Sequence, residues 1–352
     1  MHDNYTSKLA KIEGVLDRFL PSLYNSQWKE QMFSVLCSAV KDQHFSQLAE
    51  PCRSLVNSGG KRWRPLLLVL CTQLVSNKET DIERAYALTP LVEFVHTASL
   101  IHDDIEDSSD MRRGKPAAHI TYGLDAALNA GSWLYFASSA CLDAAFDADK
   151  SVHAKEMHLT LYKTLHTELR RLHLGQAMDI LWHNNNTIVP QADEYRAMVK
   201  MKTGTLASLS AKTGIICGGG SLEQAETMGS LASDIGVGFQ ILDDYINLTS
   251  GNKGKKRGDD IIEGKKSLPI LLHLEKRPQD FNAVMDCFKR AAQEGSSSSA
   301  IEECIAIVEQ SDALSEAQKL GKKLIADSCS SILNTYKDSQ AARDIYNLFE
   351  QM

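Results

Sequence analysis

Apolar side chains recur along the chain at spacings of three and four: Leu9, Ile12, Leu16 and Phe19 near the start, Leu66, Val69 and Leu70 later, then Leu88, Leu91, Val92 and Val95. That spacing lines one face of a helix, whereas the strict alternation of a half-buried strand bounded by turn pairs is hard to find. Pro is scarce, with 8 in the chain, and most Gly residues are grouped, so the punctuation marks helix ends rather than hairpins. Breaks fall at 58–60, 113–116, 184–186, 218–220, 250–258 and 294–299. None is long or biased enough to be a disordered linker. The pattern predicts an all-α protein of long helices in one continuous domain over residues 1–352, with the serine tract at 296–299 as the place where the last helices could be set apart.

Composition narrows the class. A chain of 352 residues with 43% hydrophobic and 24% charged side chains can bury a large core and is neither disordered nor collagen-like. A net charge of −7 provides no basic field for a phosphate polymer, so nucleic acid is not an expected partner. The 8 cysteines are scattered without a C-x-x-C pair, which signals neither a zinc site nor a disulfide framework and reads as core thiols in a reducing compartment. No run reaches the ~18 apolar residues of a membrane span and no signal-peptide pattern opens the chain, so no membrane insertion and a cytoplasmic location are expected.

Chemistry concentrates where apolar helices run into acid. The stretch from Leu88 to Ile101 leads into His102, Asp103, Asp104, Ile105, Glu106 and Asp107. On a helix, positions 103 and 107 lie one above the other while 104 is about 100° round. Carboxylates at the C-terminal end of a helix repel one another and the helix dipole unless a cation compensates. Mg²⁺ prefers carboxylate oxygens, keeps several waters and completes its shell with phosphate oxygens, so this is a candidate diphosphate-docking site; taken alone it reads more simply as a solvated acidic helix end, and a second acidic pair changes the balance. A second apolar run, from Phe239 to Leu242, again ends in adjacent aspartates, Asp243 and Asp244. Cations stand at the helix breaks: Lys61, Arg62 and Arg64 beside Gly59 and Gly60, then Arg112 and Arg113, then Lys202 in Lys202-Thr203-Gly204. Arg grips phosphate with a bidentate fork, Lys acts as a point charge, and backbone N–H groups beside Gly approach an anion closely. Acidic and basic sets together suit two anionic ligands, one held through metal and one held directly.

The order of these segments resembles the trans-isoprenyl diphosphate synthases. The motifs are G-G-K-R-x-R-P at 59–65, D-D-x-x-D at 103–107 followed by Arg112-Arg113-Gly114, G-Q-x-x-D at 175–179, K-T-G at 202–204 and F-Q-x-x-D-D at 239–244, with Gly258-Asp259-Asp260-Ile261 and Glu263-Gly264-Lys265 after them. Each alone is weak and their shared order is specific. The resemblance implies a single large bundle of mostly antiparallel helices around a central cavity, and a homodimer. It implies Mg²⁺ ligands at Asp103, Asp107 and Asp243, with Asp104 and Asp244 in support. Arg112, Lys202 and Lys265 would grip an allylic diphosphate. Gly60, Lys61, Arg64, His96 and Arg113 would hold isopentenyl diphosphate, and Thr203, Gln176 and Gln240 would line the reacting centre. Two positions depart from the family pattern: Asn247 stands where a last aspartate is common, and of the crowded Lys253, Lys255, Lys256 and Arg257, alignment on Asp260 favours Lys256 for the diphosphate.

Product length is the finer question. Ala98 and Ser99 lie about one turn before Asp103 and are small, where the resemblance places bulky aromatics in farnesyl-producing relatives. Trp133, Tyr135 and Phe136 form a second candidate stop, or simple core packing. The segments around 103–107, 175–182 and 244–247 look most like geranylgeranyl diphosphate synthases, which implies a twenty-carbon product. The competing readings are a longer-chain synthase, a class I terpene cyclase, a metal phosphohydrolase built on His102-Asp103, and a noncatalytic helical subunit. A cyclase has no use for the second cationic set, the histidines are dispersed, and the acidic motif is intact, so elongation is preferred.

Overall fold

The computed structural model describes residues 2–185, 187–251 and 257–350. Helices dominate, as the apolar spacing predicts. The one exception among the described residues is a two-stranded antiparallel hairpin, Met111–Arg112 with Lys115–Pro116, at a break read from sequence as loop. Two residues per strand leave no alternation to detect.

The chain divides into two compact units: Met1–Thr167 with Ser208–Gly229 and Tyr336–Leu348, and Glu168–Ala207 with Ser230–Thr335 and Phe349–Met352. Several divisions fall inside helices, in Val152–His183, Thr205–Cys217 and Leu222–Leu248, so no linker composition marks them.

In the first unit the predicted faces turn inward. Helix His2–Phe19 buries Ile12, Val15, Leu16 and Phe19, helix Trp63–Val75 is buried along nearly its whole length, and helix Thr89–Glu106 buries Leu91, Val92, Phe94 and Val95. Thr89–Glu106 starts with Pro90 in its first turn, where the missing N–H costs nothing. It ends in a Schellman arrangement. Ser108 N–H donates to Ile105 O and Ser109 N–H to Asp104 O, with Ser108 in the left-handed region at φ 53° where Gly is usual. The helix therefore outruns the apolar stretch and carries the first acidic motif on its last turn and cap.

The second unit holds two apolar clusters. One gathers Trp182, Tyr195, Val237, Ile241 and Leu271, the other Leu248, Ile261, Ile270, Phe288, Ile301 and Ile305. The serine tract does not set the last helices apart: it forms the turn between Phe281–Glu294 and Ser299–Val308, which share one core, and Ser298 Oγ caps the second helix through Ala300 N–H. Seven of the eight cysteines are buried as expected, and Cys37 is exposed.

Candidate functional site

The first unit carries Gly60, Lys61, Arg64, His96 and Arg113, and brings Gly60 against Arg113 and Arg64 against His96. Gly60, at φ 148°, lies where any Cβ would meet the Arg113 guanidinium at 3.3 Å, so Gly leaves the space that this side chain fills. Arg113, itself left-handed at φ 51°, donates from Nη1 to the carbonyls of Leu55 and Gly59. Arg64 stands in the first turn of Trp63–Val75, stacks over Trp63 at 4.3 Å, and directs Nη1 to His96 Nε2 at 3.4 Å. A guanidinium can only donate, so the imidazole accepts and is neutral, in keeping with the burial and neighbouring arginines that push its pKa well below the usual value. Arg64 Nε is buried with no hydrogen-bond partner among the described residues. Lys61 is exposed. The arrangement suits a diphosphate taken directly by cations.

The acidic motif of the same unit splits into two roles. Asp103 and Asp107 are half-buried one turn apart, whereas Asp104 is fully buried. Arg112, on the hairpin, donates Nε to Asp104 Oδ1 at 2.7 Å and adds a second bond from Nη2. Burial raises the Asp104 pKa and Arg112 opposes the rise. Asp104 thus ties the hairpin that carries Arg112 to the acidic end of helix Thr89–Glu106.

The second unit gathers the other set. Lys202 and Thr203 lie in a π-helical turn, Lys200–Gly204, between Ala192–Val199 and Thr205–Cys217. Single π-turns inside helices are frequent at functional sites. Gly175 allows that turn to approach, since a Cβ there would sit 2.4 Å from the Lys202 amide nitrogen. Lys202 Nζ donates to Asp179 Oδ2 at 2.6 Å, and Thr203 Oγ1 donates to Gln240 Oε1 at 3.2 Å. Gln240 Nε2 in turn donates to Asp244 Oδ1 at 3.0 Å. Asp244 is buried and also accepts from Tyr195 OH and the Leu268 N–H, while Asp243 is exposed. Burial pushes the Asp244 carboxyl above its usual range, against the pull of those donors. Gln176 is buried on Val152–His183, and Lys265 pairs with Glu263. Lys256, with Lys253 and Lys255, lies outside the described residues.

Asn247, the departure from the family pattern, is buried, accepting the Gly258 N–H on its carbonyl at 2.9 Å and the Asp260 N–H on Oδ1 at 3.4 Å. Its amide holds the chain that returns into Asp259–Ile262, a task an ionised carboxylate in that position would perform only at the cost of burying charge. Ala98 is fully buried, and Ser99 is half-buried with its hydroxyl on the His96 carbonyl at 2.8 Å. Phe136 is 75% exposed, so it is not a stop within its own unit, and Trp133 stacks on Phe33.

Sequence reading missed Glu13, Glu93, Asp179, Tyr195 and Lys266 as contributors. Glu93 had a signal, as a lone acid in an apolar helix. Asp179 closed a quoted motif. Tyr195 and Lys266 had none, since only packing brings the tyrosine to Asp244 and buries the lysine against Phe288.

Among the described residues no three His, Cys, Asp or Glu side chains form a metal cage of their own. The donor set nevertheless fits a hard divalent ion that keeps waters and takes phosphate oxygens, because such an ion needs only one or two carboxylates from the protein. At the same helix end Asp104 pairs with Arg112 through Oδ1, while its buried Oδ2 has no hydrogen-bond donor among the described residues.

Comparison with known proteins bears on family and fold. The family profile described as polyprenyl synthetase matches residues 45–308. A geranylgeranyl diphosphate synthase of Methanosarcina mazei is 37% identical over 233 residues, 65% of this chain and 68% of that protein. A geranylfarnesyl diphosphate synthase of Aeropyrum pernix is 33% identical over 63% of this chain and 69% of its own length. The crystal structure of a geranylgeranyl pyrophosphate synthetase from Pyrococcus horikoshii superposes with a TM-score of 0.80 at 25% identity, covering 99% of this chain and 96% of that one.

Proposed function

We propose that this chain, which belongs to the polyprenyl synthetase family and is a trans-prenyltransferase of isoprenoid synthase fold, makes geranylgeranyl diphosphate by head-to-tail condensation of isopentenyl diphosphate with a shorter allylic diphosphate. The observation that carries the twenty-carbon reading is the pair of small side chains, Ala98 and Ser99, ahead of the acidic helix end. Bulk there would stop the growing hydrocarbon early, and its absence leaves room for a further five-carbon unit. Relatives named as geranylgeranyl diphosphate synthases support the same length.

In this reading Asp103, Asp107 and Asp243 hold divalent metal, Mg²⁺ by the hardness of its ligands, and Arg112, Lys202 and Lys265 take the oxygens of the allylic diphosphate. The metal, when bound, adds positive charge at the leaving group. Cations fixed in advance stabilise the departing diphosphate without reorganising during the reaction. Lys61, Arg64, His96 and Arg113 orient isopentenyl diphosphate so that its double bond attacks the allylic carbon, and the released diphosphate accepts the proton then lost. Gln176, Thr203 and Gln240 line this centre, and Asp104 and Asp244 steady the two acidic motifs.

We further place the enzyme as one catalytic domain acting in the cytoplasm as a homodimer. No helix of the described residues is long and apolar enough to cross a membrane, and helix Leu124–Ala137 exposes Leu124, Leu128 and Phe136 along one stripe.

The test is product analysis with labelled isopentenyl diphosphate and each short allylic primer, with and without Mg²⁺. Twenty-carbon diphosphate as the main product, abolished by chelation, is expected. A longer or shorter main product overturns the length, hydrocarbon released without isopentenyl diphosphate overturns elongation, and full turnover after chelation overturns the metal.

A further inference from the structure

We propose that Glu93, acting through Arg62 together with Glu13, is a positioning residue for the cations that take isopentenyl diphosphate. The inference rests on the assignment of Lys61, Arg64, His96 and Arg113 to that substrate.

Arg62 sits in the middle of the basic run yet cannot serve a ligand. Its guanidinium is buried and every nitrogen is engaged: Nε donates to Glu13 Oε1 at 2.7 Å, Nη1 to Glu93 Oε1 at 2.6 Å, and Nη2 to the Val56 carbonyl at 2.5 Å. Its backbone lies in the left-handed region at φ 48°, which residues with a side chain adopt rarely and at a cost. Strain of that kind persists where the surroundings over-determine it. Here the two carboxylates and the carbonyl do so, and the inverted residue is the one that leads from the exposed Lys61 into helix Trp63–Val75, whose first turn bears Arg64.

Glu93 has a second task. It is buried on helix Thr89–Glu106, one turn before His96, and its charge acts on Arg64 and Arg113 as well as on Arg62. Arg64 and Arg113 are like charges held beside a neutral imidazole. Burial pushes Arg64 down to about 10, Glu93 opposes the drop and Arg113 adds to it. A fixed counter-charge lets these cations stand assembled before a diphosphate arrives, which lowers the cost of ordering them on binding. Glu93 touches no substrate in this account. It acts through the arginines.

The experiment measures the two KM values and kcat separately, with thermal unfolding alongside. Glu93→Gln keeps the volume and removes the charge, and is expected to raise KM for isopentenyl diphosphate by about tenfold or more while KM for the allylic substrate and kcat move less than about threefold. Glu93→Asp, which restores the charge, is expected to recover part of the loss. Glu13→Gln, at a half-exposed partner, is expected to give a rise of roughly two- to threefold. Should Glu93→Gln fail to fold, Glu13→Gln and Arg62→Lys carry the test, and an unchanged KM for isopentenyl diphosphate in both overturns the proposal. Equal movement of both KM values with a lowered unfolding temperature also overturns it, since that is what loss of general structure would give. Arg64→Gln separates this from the assignment beneath it. If Arg64→Gln raises KM for isopentenyl diphosphate and the Glu93 variants do not, the positioning role fails and the subsite stands. If Arg64→Gln leaves that KM untouched, the subsite itself is wrong.

Discussion

Each acidic motif includes a carboxylate buried among protein donors. Asp104 is buried against Arg112, and Asp244 against Tyr195, Gln240 and the Leu268 N–H. Their neighbours Asp103 and Asp243 keep solvent access, which is what metal ligands need. Lys266 is a further buried charge, with Nζ on the Gly264 carbonyl at 2.8 Å and 5.0 Å from the Phe288 ring centroid. Burial pushes its pKa down from 10.5 to about 8, with Asp179 opposing. Between pH 8 and 10.5 the folded protein therefore releases a proton that the unfolded chain still binds, so Lys266 lowers stability below that window and ceases to do so above it. Lys266→Met is expected to unfold at higher denaturant concentration than the parent at pH 7, with the advantage shrinking as pH rises to 10. An advantage that stays constant across that range would show that the ammonium is not the cause.

Two elements position the proposed site residues. The π-helical turn at Lys200–Gly204 adds a residue to a helical path and so re-aims Lys202 and Thr203 toward Asp179 and Gln240. Helix Thr89–Glu106 sorts the candidate length determinants by face. Ser99 lies one turn before Asp103 and on the same line, whereas Ala98 lies about 140° round from Asp103, on the side of Ile101 and His102. A Cβ on Gly131 would sit 3.1 Å from both of those side chains, so that side is packed against helix Leu124–Ala137. Ser99→Phe is expected to shift the product toward fifteen carbons with little change in unfolding temperature. Ala98→Phe, on the packed side, is expected chiefly to destabilise the fold by roughly 1–3 kcal/mol through overpacking, with less shortening of the product than Ser99→Phe gives. Chromatography of the products and thermal unfolding check both, and an unaltered product from Ser99→Phe removes this helix face from the determinants of product length.

For the molecule entire, the exposed stripe of Leu124, Leu128 and Phe136 is the feature that a homodimer would cover. Sedimentation velocity is expected to show a dimer for the parent and a monomer for the double variant Leu128→Lys, Phe136→Lys; a monomeric parent ends the proposal. The helical class, the buried faces of His2–Phe19, Trp63–Val75 and Thr89–Glu106, and the cations and carboxylates of the motifs were all legible along the chain, because apolar periodicity and residue chemistry are local properties. Position in a motif did not reveal which charge serves the protein and which serves a ligand. Arg62 and Arg64 stand two residues apart, yet one is closed off by Glu13, Glu93 and Val56 and the other keeps a buried donor unmet. That division, like the tyrosine on Asp244 and the structural use of Asn247, depends on partners 49, 31 or 13 residues away, and nothing short of packing selects them.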